Sequence, residues 1–256
     1  MTYMPQVAAK VAEWPDLAVE LDRWEEAGKV ARFWWRDDDA AMPNPQLDRL
    51  LAVADGAPLA LAVIPADVKD ALAAALRWQP QVAVLHHGWC HANRAASGKK
   101  SEYPPERHPV EVADELDEGR KRLRTLFGSR AHPVFVPPWN RFSERFVPLL
   151  TEAGFVAVSQ MAPRKTAPPR GIAAIDVHLD IVAWHADRGF IGEAAALGGL
   201  VVALRARREA GDGGAVGLLT HHLVLDAPSE AFLARFGALV DAHAAARWAG
   251  IGELIA

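Results

Sequence analysis

The sequence predicts an α/β fold built on a largely parallel sheet. Short apolar, β-branched or aromatic runs alternate with longer segments of helical pattern, the mark of βα units. Each run is nearly continuous in apolar residues, as expected of strands covered on both faces. No linker-like segment divides the 256 residues. α/β barrels of ~250 residues commonly form one unit, so a single domain over 1–256 is expected.

Seven strands are read in order at 30–35, 58–64, 82–86, 133–136, 155–159, 171–177 and 215–220. A helix over 66–78 carries Asp67, Lys69 and Asp70 on its polar side. The helix over 109–127 is clearer. Proline suits its first turn, acids (Glu111, Asp114, Glu115) crowd its start, bases (Arg120, Lys121, Arg122, Arg124) crowd its end, and Gly128 follows. At 143–153 a serine cap and Gly154 bound a helix that Pro148 should distort. Helices over 192–210 and 229–247 complete the set. The segment 92–108 lacks periodicity and is rich in Gly, Ser, Pro and charge, so it reads as a long loop of the kind that forms lids or rims.

Composition narrows the function classes. With 51% hydrophobic residues and a net charge of -4, the chain is neither disordered nor collagen-like nor a coiled coil. The same charge gives no support to a nucleic-acid or anionic-membrane partner. Cys90 is the one cysteine, so no intrachain disulfide is available. No signal-peptide pattern and no run of ~20 apolar residues is read, which leads to the expectation of a soluble, cytoplasmic protein. Oligomeric state is not legible.

Polar clusters follow the apolar runs. Phe33-Trp34-Trp35 leads into Arg36-Asp37-Asp38-Asp39, and Val84-Leu85 into His86-His87-Gly88-Trp89-Cys90-His91. Val134-Phe135-Val136 leads into Pro137-Pro138-Trp139-Asn140-Arg141, and Leu218-Leu219-Thr220 into His221-His222. In parallel sheets and barrels the C-terminal strand ends share one face, where ligands bind. Three adjacent aspartates repel one another unless a cation compensates them, and strand alternation allows at most two to share a site. His87 and His91, four apart, can bind one cation from a turn. Two imidazoles and a carboxylate leave a position on Zn²⁺ open for water, the arrangement of a catalytic site. A second carboxylate supplies a base and a further histidine an acid. Cys90 is the competing soft ligand and is read as packing, since thiolate ligands come in sets.

These residues resemble the polysaccharide deacetylase (NodB-homology) superfamily of metal-dependent carbohydrate esterases, over residues 36–222. The resemblance implies a distorted (β/α)7 barrel. Arg36-Asp37-Asp38-Asp39-Ala40 is similar to the TFDDG motif, making Asp38 the base and Asp39 a metal ligand. A one-residue shift gives Asp37 and Asp38 instead. His87-Gly88-Trp89-Cys90-His91 keeps the H(S/T)xxH spacing of the two metal histidines, with glycine where a hydroxyl residue is usual. Val136-Pro137-Pro138-Trp139 resembles RxPY with its arginine missing, and Arg36 or Arg141 is available to orient the base. Asp180-Ile181-Val182-Ala183-Trp184 meets DxxDW in part, alanine replacing the second acid. Leu219-Thr220-His221 fits LxH, with His222 the alternative acid.

The resemblance implies hydrolysis of an acyl amide or ester on an amino sugar or related C–N substrate, with a divalent metal, zinc first, on Asp39, His87 and His91. Trp139, Trp184 and Trp89 are available to stack on a sugar. His178 and Asp180 alternate on one segment and either line the pocket or pair with neighbours. Asn93, Arg94, Lys99 and Lys100 form a basic loop able to face an anionic substrate. Two rival readings stand. An amidohydrolase of another class would show an early HxH pair, absent here. A degenerate barrel would bind carbohydrate without hydrolysing it.

Overall fold

The computed structural model describes residues 11–164 and 170–256. The first ten residues, part of the segment scanned for a signal peptide, lie outside that range. The helices are α1 (Trp14–Glu26), α2 (Pro45–Ala54), α3 (Asp70–Ala75), α4 (Pro109–Phe127), α5 (Val147–Glu152), α6 (Glu193–Ala210), α7 (Ala227–Ala242) and α8 (Ile251–Leu254). The strands are β1 (Ala31–Ala40), β2 (Leu59–Val63), β3 (Val82–His87), β4 (Ala131–Val136), β5 (Ala157–Val158), β6 (Ala173–Ala174), β7 (Leu179–Asp180), β8 (Val216–Thr220) and β9 (Ala246–Trp248). Among the described residues, no helix is long and apolar enough to cross a membrane.

The strands form one sheet in the order β6-β5-β4-β3-β2-β1-β8-β7, with β9 beside the start of β1, and every ladder is parallel. The sheet curls until its two ends share one stretch of chain. Ala173, Ile175 and Val177 donate to the carbonyls of Val156, Val158 and Gln160. His178 and Ile181 then donate to Gly217 and Leu219. Thus β6 and β7 are two halves of a single segment that changes partner midway. The result is the distorted, seven-membered (β/α) barrel that the motifs imply.

Alternation sorts the side chains into two layers. Trp34, Ala60, Ala62, Leu85, Val136 and Leu219 pack inside the barrel. Phe33, Trp35, Leu59, Leu61 and Leu218 face outward and pack beneath the helices. The interior is narrow, so small residues sit opposite the one large ring. A Cβ on Gly217 would strike the indole nitrogen of Trp34 and the carbonyl of Asp176. Ile251 of α8 joins the same inner cluster.

Several sequence expectations need correction. The strand expected at 30–35 continues to Ala40. The helix expected at 229–247 is α7 followed by β9. That expected at 66–78 shortens to α3 plus a 3-10 turn, and that at 143–153 to a 3-10 turn plus α5, whose first turn accommodates Pro148. Helices α1 and α2 were not expected. The loop 92–108 holds no helix or strand.

Candidate active site and metal centre

The inward-facing row of β1 runs from Trp34 to Arg36 and Asp38. Asp37 points outward, and its carboxylate accepts from Thr220 Oγ1 at 2.7 Å and lies 2.6 Å from His222 Nδ1. Strict alternation would send Asp39 outward too. Instead the β1–β2 ladder slips between Asp37 and Ala40, and Asp39 adopts a left-handed φ of 73°. Such a bulge re-aims a side chain, and Asp is among the residues that tolerate this conformation best. Asp38 and Asp39 therefore reach the same end of the barrel.

Asp38 is buried against Arg36, whose side chain is fully buried. The guanidinium closes on both carboxylate oxygens, Nε at 2.8 Å from Oδ1 and a terminal nitrogen donating to Oδ2 at 3.0 Å. The other terminal nitrogen donates to Ser159 Oγ at 2.6 Å, while the one on Asp38 also donates to Asn140 Oδ1 at 3.4 Å. A fork of this kind fixes the carboxylate in orientation. Of the two arginines available for the missing motif position, Arg36 contacts Asp38. Arg141 donates to the Lys100 carbonyl at 2.8 Å on the rim.

His87 lies at the end of β3 and His91 in the turn beyond. The Nδ1 of His87 donates to the Val136 carbonyl at 3.0 Å, which turns the ring so that Nε2 faces Asp39. That Nε2 lies 3.1 Å from Asp39 Oδ1, and the Nε2 of His91 lies 3.3 Å from the same oxygen. Three ligand-type atoms thus converge on one point. Burial raises the pKa of Asp39, but the His87 hydrogen bond and the charges of His87, His91 and His221 outweigh it and hold the carboxyl well below its usual range. For His87, burial is outweighed by the charges of Asp38 and Asp39, and its pKa rises. For His91, burial and the neighbouring His87 push it down. The donor set, two imidazoles and a carboxylate, suits a divalent cation.

His221, at the end of β8, stands opposite. Its Nε2 is 4.0 Å from Asp38 and its Nδ1 4.0 Å from Asp180. Trp184 meets the His221 ring edge-on at 4.7 Å and donates from Nε1 to Asp180 at 2.7 Å. Burial pushes the Asp180 carboxyl up, against the opposing charge of His221. Trp139 covers the other side, its ring 4.4 Å from that of His91. Beside Trp139 opens a cavity of about 860 Å³ lined by Lys99, Asn140, Arg141, Phe142 and Gln160 among others.

The structure therefore gathers Asp38, Asp39, His87, His91, His221, Asp180, Arg36, Trp139 and Trp184 at one barrel mouth. Asp37 and His222, the alternatives, pair with each other outside the barrel, where His222 Nε2 also lies 3.4 Å from Asn44. His178 is also outside: its Nδ1 accepts from Gly217 N at 2.9 Å and Arg207 lies at 3.1 Å. Cys90 turns away from Asp39, and its Sγ donates to Glu102 at 3.2 Å. Sequence reasoning missed Glu102 and Ser159. Neither carries a spacing signal, since each meets its partner only through the fold.

No family profile and no curated protein matches the chain by sequence. Solved structures match its fold. One is a Mycobacterium smegmatis protein assigned as a polysaccharide deacetylase, with TM-score 0.66, 19% identity, 96% of this chain and 92% of that chain covered. A second is a family 4 acetyl xylan esterase from Clostridium thermocellum in complex with a cobalt ion, with TM-score 0.55, 15% identity and 87% and 89% covered. A third is a family 4 carbohydrate esterase pseudoenzyme from Bacillus anthracis, with TM-score 0.55, 15% identity and 89% and 66% covered. The fold is thus that of the polysaccharide deacetylase and family 4 esterase structures, the group that the motifs resemble.

Proposed function

We propose that this chain is a metal-dependent hydrolase that removes an acyl group, acetyl first, from an amino sugar or related C–N substrate. One observation carries the reading. Asp39, His87 and His91 converge on one point beside an arginine-held aspartate, with a histidine facing it across the barrel mouth. A divalent cation there, zinc by preference, would lower the pKa of a water molecule and polarise the acyl carbonyl. The chain's own groups supply the rest. Asp38 takes the water proton, and Arg36 holds it aimed. His221 gives a proton to the departing amine or alcohol, with Asp180 placed to orient its ring. Trp139 and Trp184 wall the opening and offer faces for a sugar ring.

The test is metal content joined to acetate release from acetylated sugars. The purified chain is expected to hold about one divalent ion, lost in His87→Ala with His91→Ala. Asp38→Asn is expected to keep the metal and lose turnover at least ~10²-fold, the usual contribution of a general base. Absence of both metal and acetate release overturns the reading. A second reading, carbohydrate binding without hydrolysis, is favoured by the alanine at 183 and by the fold shared with a pseudoenzyme. It predicts sugar binding with no acetate released at any metal concentration.

A further inference from the structure

Glu102 is a fully buried carboxylate in the loop after His91, with no cation in ion-pair range among the described residues. A buried carboxylate there needs hydrogen-bond donors. It has three, all from the turn between the two histidines. The backbone N–H of Trp89 donates to Oε2 at 3.1 Å, and the N–H of Cys90 to Oε1 at 2.7 Å. The Cys90 thiol is the third. The turn itself is unusual, with left-handed φ values of 56° at Gly88 and 53° at His91. A Cβ on Gly88 would overlap the Glu102 carboxylate and the ring of Pro138. Glycine therefore stands at this position because the carboxylate occupies the space a side chain would take.

The loop is shaped to return Glu102 to this place. Asn93 Oδ1 accepts from Ser101 N at 3.0 Å and Arg94 N donates to Ser101 O at 2.9 Å, closing the loop on itself. Tyr103 beyond is buried against Phe135 and Phe142.

We propose that Glu102 is a positioning residue: its carboxylate clamps the 88–91 turn and so sets His91 relative to His87 and Asp39. The inference rests on reading those three residues as a metal centre. Partners of this kind behind a metal site typically govern 10- to 100-fold in affinity. The test uses the full chain, stripped with chelator and titrated with Zn²⁺ alone, beside amide hydrogen exchange of the metal-free protein. In Glu102→Ala the Zn²⁺ dissociation constant is expected to rise 10- to 100-fold and the Trp89 and Cys90 amides to exchange at least 10-fold faster. Glu102→Gln keeps one acceptor oxygen and the side chain's shape, so it should restore the protection of one of the two amides and part of the affinity, and it serves if the alanine variant does not fold. Unchanged exchange at those two amides overturns the clamp. Faster exchange with unaltered Zn²⁺ affinity overturns the positioning role. Failure of the wild type to bind Zn²⁺ overturns the metal-centre reading instead, and with it the role of Glu102 there.

Discussion

Arg36 is a cation with no access to solvent, and its counter-charge is Asp38. Removing one partner of such a pair leaves the other charge buried and alone, at a cost of roughly 3–5 kcal/mol. Arg36→Met is expected to lose about that much in urea unfolding. Arg36→Lys keeps the charge but cannot span both oxygens, so its stability should fall less and its turnover fall with the nitrogen fork. At this scale the sequence was readable where chemistry depends on spacing. The His87–His91 interval and the run of aspartates named the residues that converge at the mouth. The register of the aspartates was not readable, because alternation cannot foresee a ladder slip and a left-handed Asp39. Nor was the pairing of Asp37 with His222, which depends on β1 and β8 lying side by side.

Among the elements, α1 escaped notice because its apolar stripe (Trp14, Leu17, Leu21, Trp24) is interrupted by a buried glutamate. Glu20 is held by Arg23 one turn on in the same helix at 3.3 Å and, across the fold, by Arg208 of α6 at 2.7 Å. By contrast, α4 was legible from its caps and charge order alone. It also carries a constraint that a sequence does not show. A Cβ on Gly119 would sit 2.5 Å from the buried His86 ring. Gly119→Ala should improve helix propensity yet destabilise the protein by roughly 1–3 kcal/mol, since the ring, wedged between Phe135 and Phe155, has no room to retreat. Thermal melting decides the sign. The junction of β7 and α6 holds a pH-sensitive contact. Burial and the neighbouring Arg207 push His178 down to about 4. Above pH 6.5 its ring is neutral whether the chain is folded or not. Below that, the unfolded chain takes up a proton that the folded ring refuses, so stability falls until about pH 4, where both are protonated. The loss is at most roughly 3 kcal/mol. Denaturant midpoints across this range should flatten in His178→Asn, which retains an acceptor for Gly217.

For the whole molecule, the seven apolar runs were enough to anticipate a parallel sheet, and the order of polar strand ends placed the mouth. Closure was harder to see, because β6 and β7 are two residues each and no periodicity marks a strand that changes partner. The joint depends on small residues. Gly217→Ala would drive a methyl into Trp34 and the 176–177 backbone and is expected to cost more than 2 kcal/mol, measured by urea unfolding. The closing segment has a further consequence. Its later half carries Asp180, which faces His221. Its earlier half is bonded to β5, just before Ser159, which anchors Arg36 and through it Asp38. In the proposed reaction these are the two ends of a proton's journey. One length of backbone thus acts as a spacer gauge across the mouth, and a residue inserted or deleted there would retune the gap without touching a reacting group.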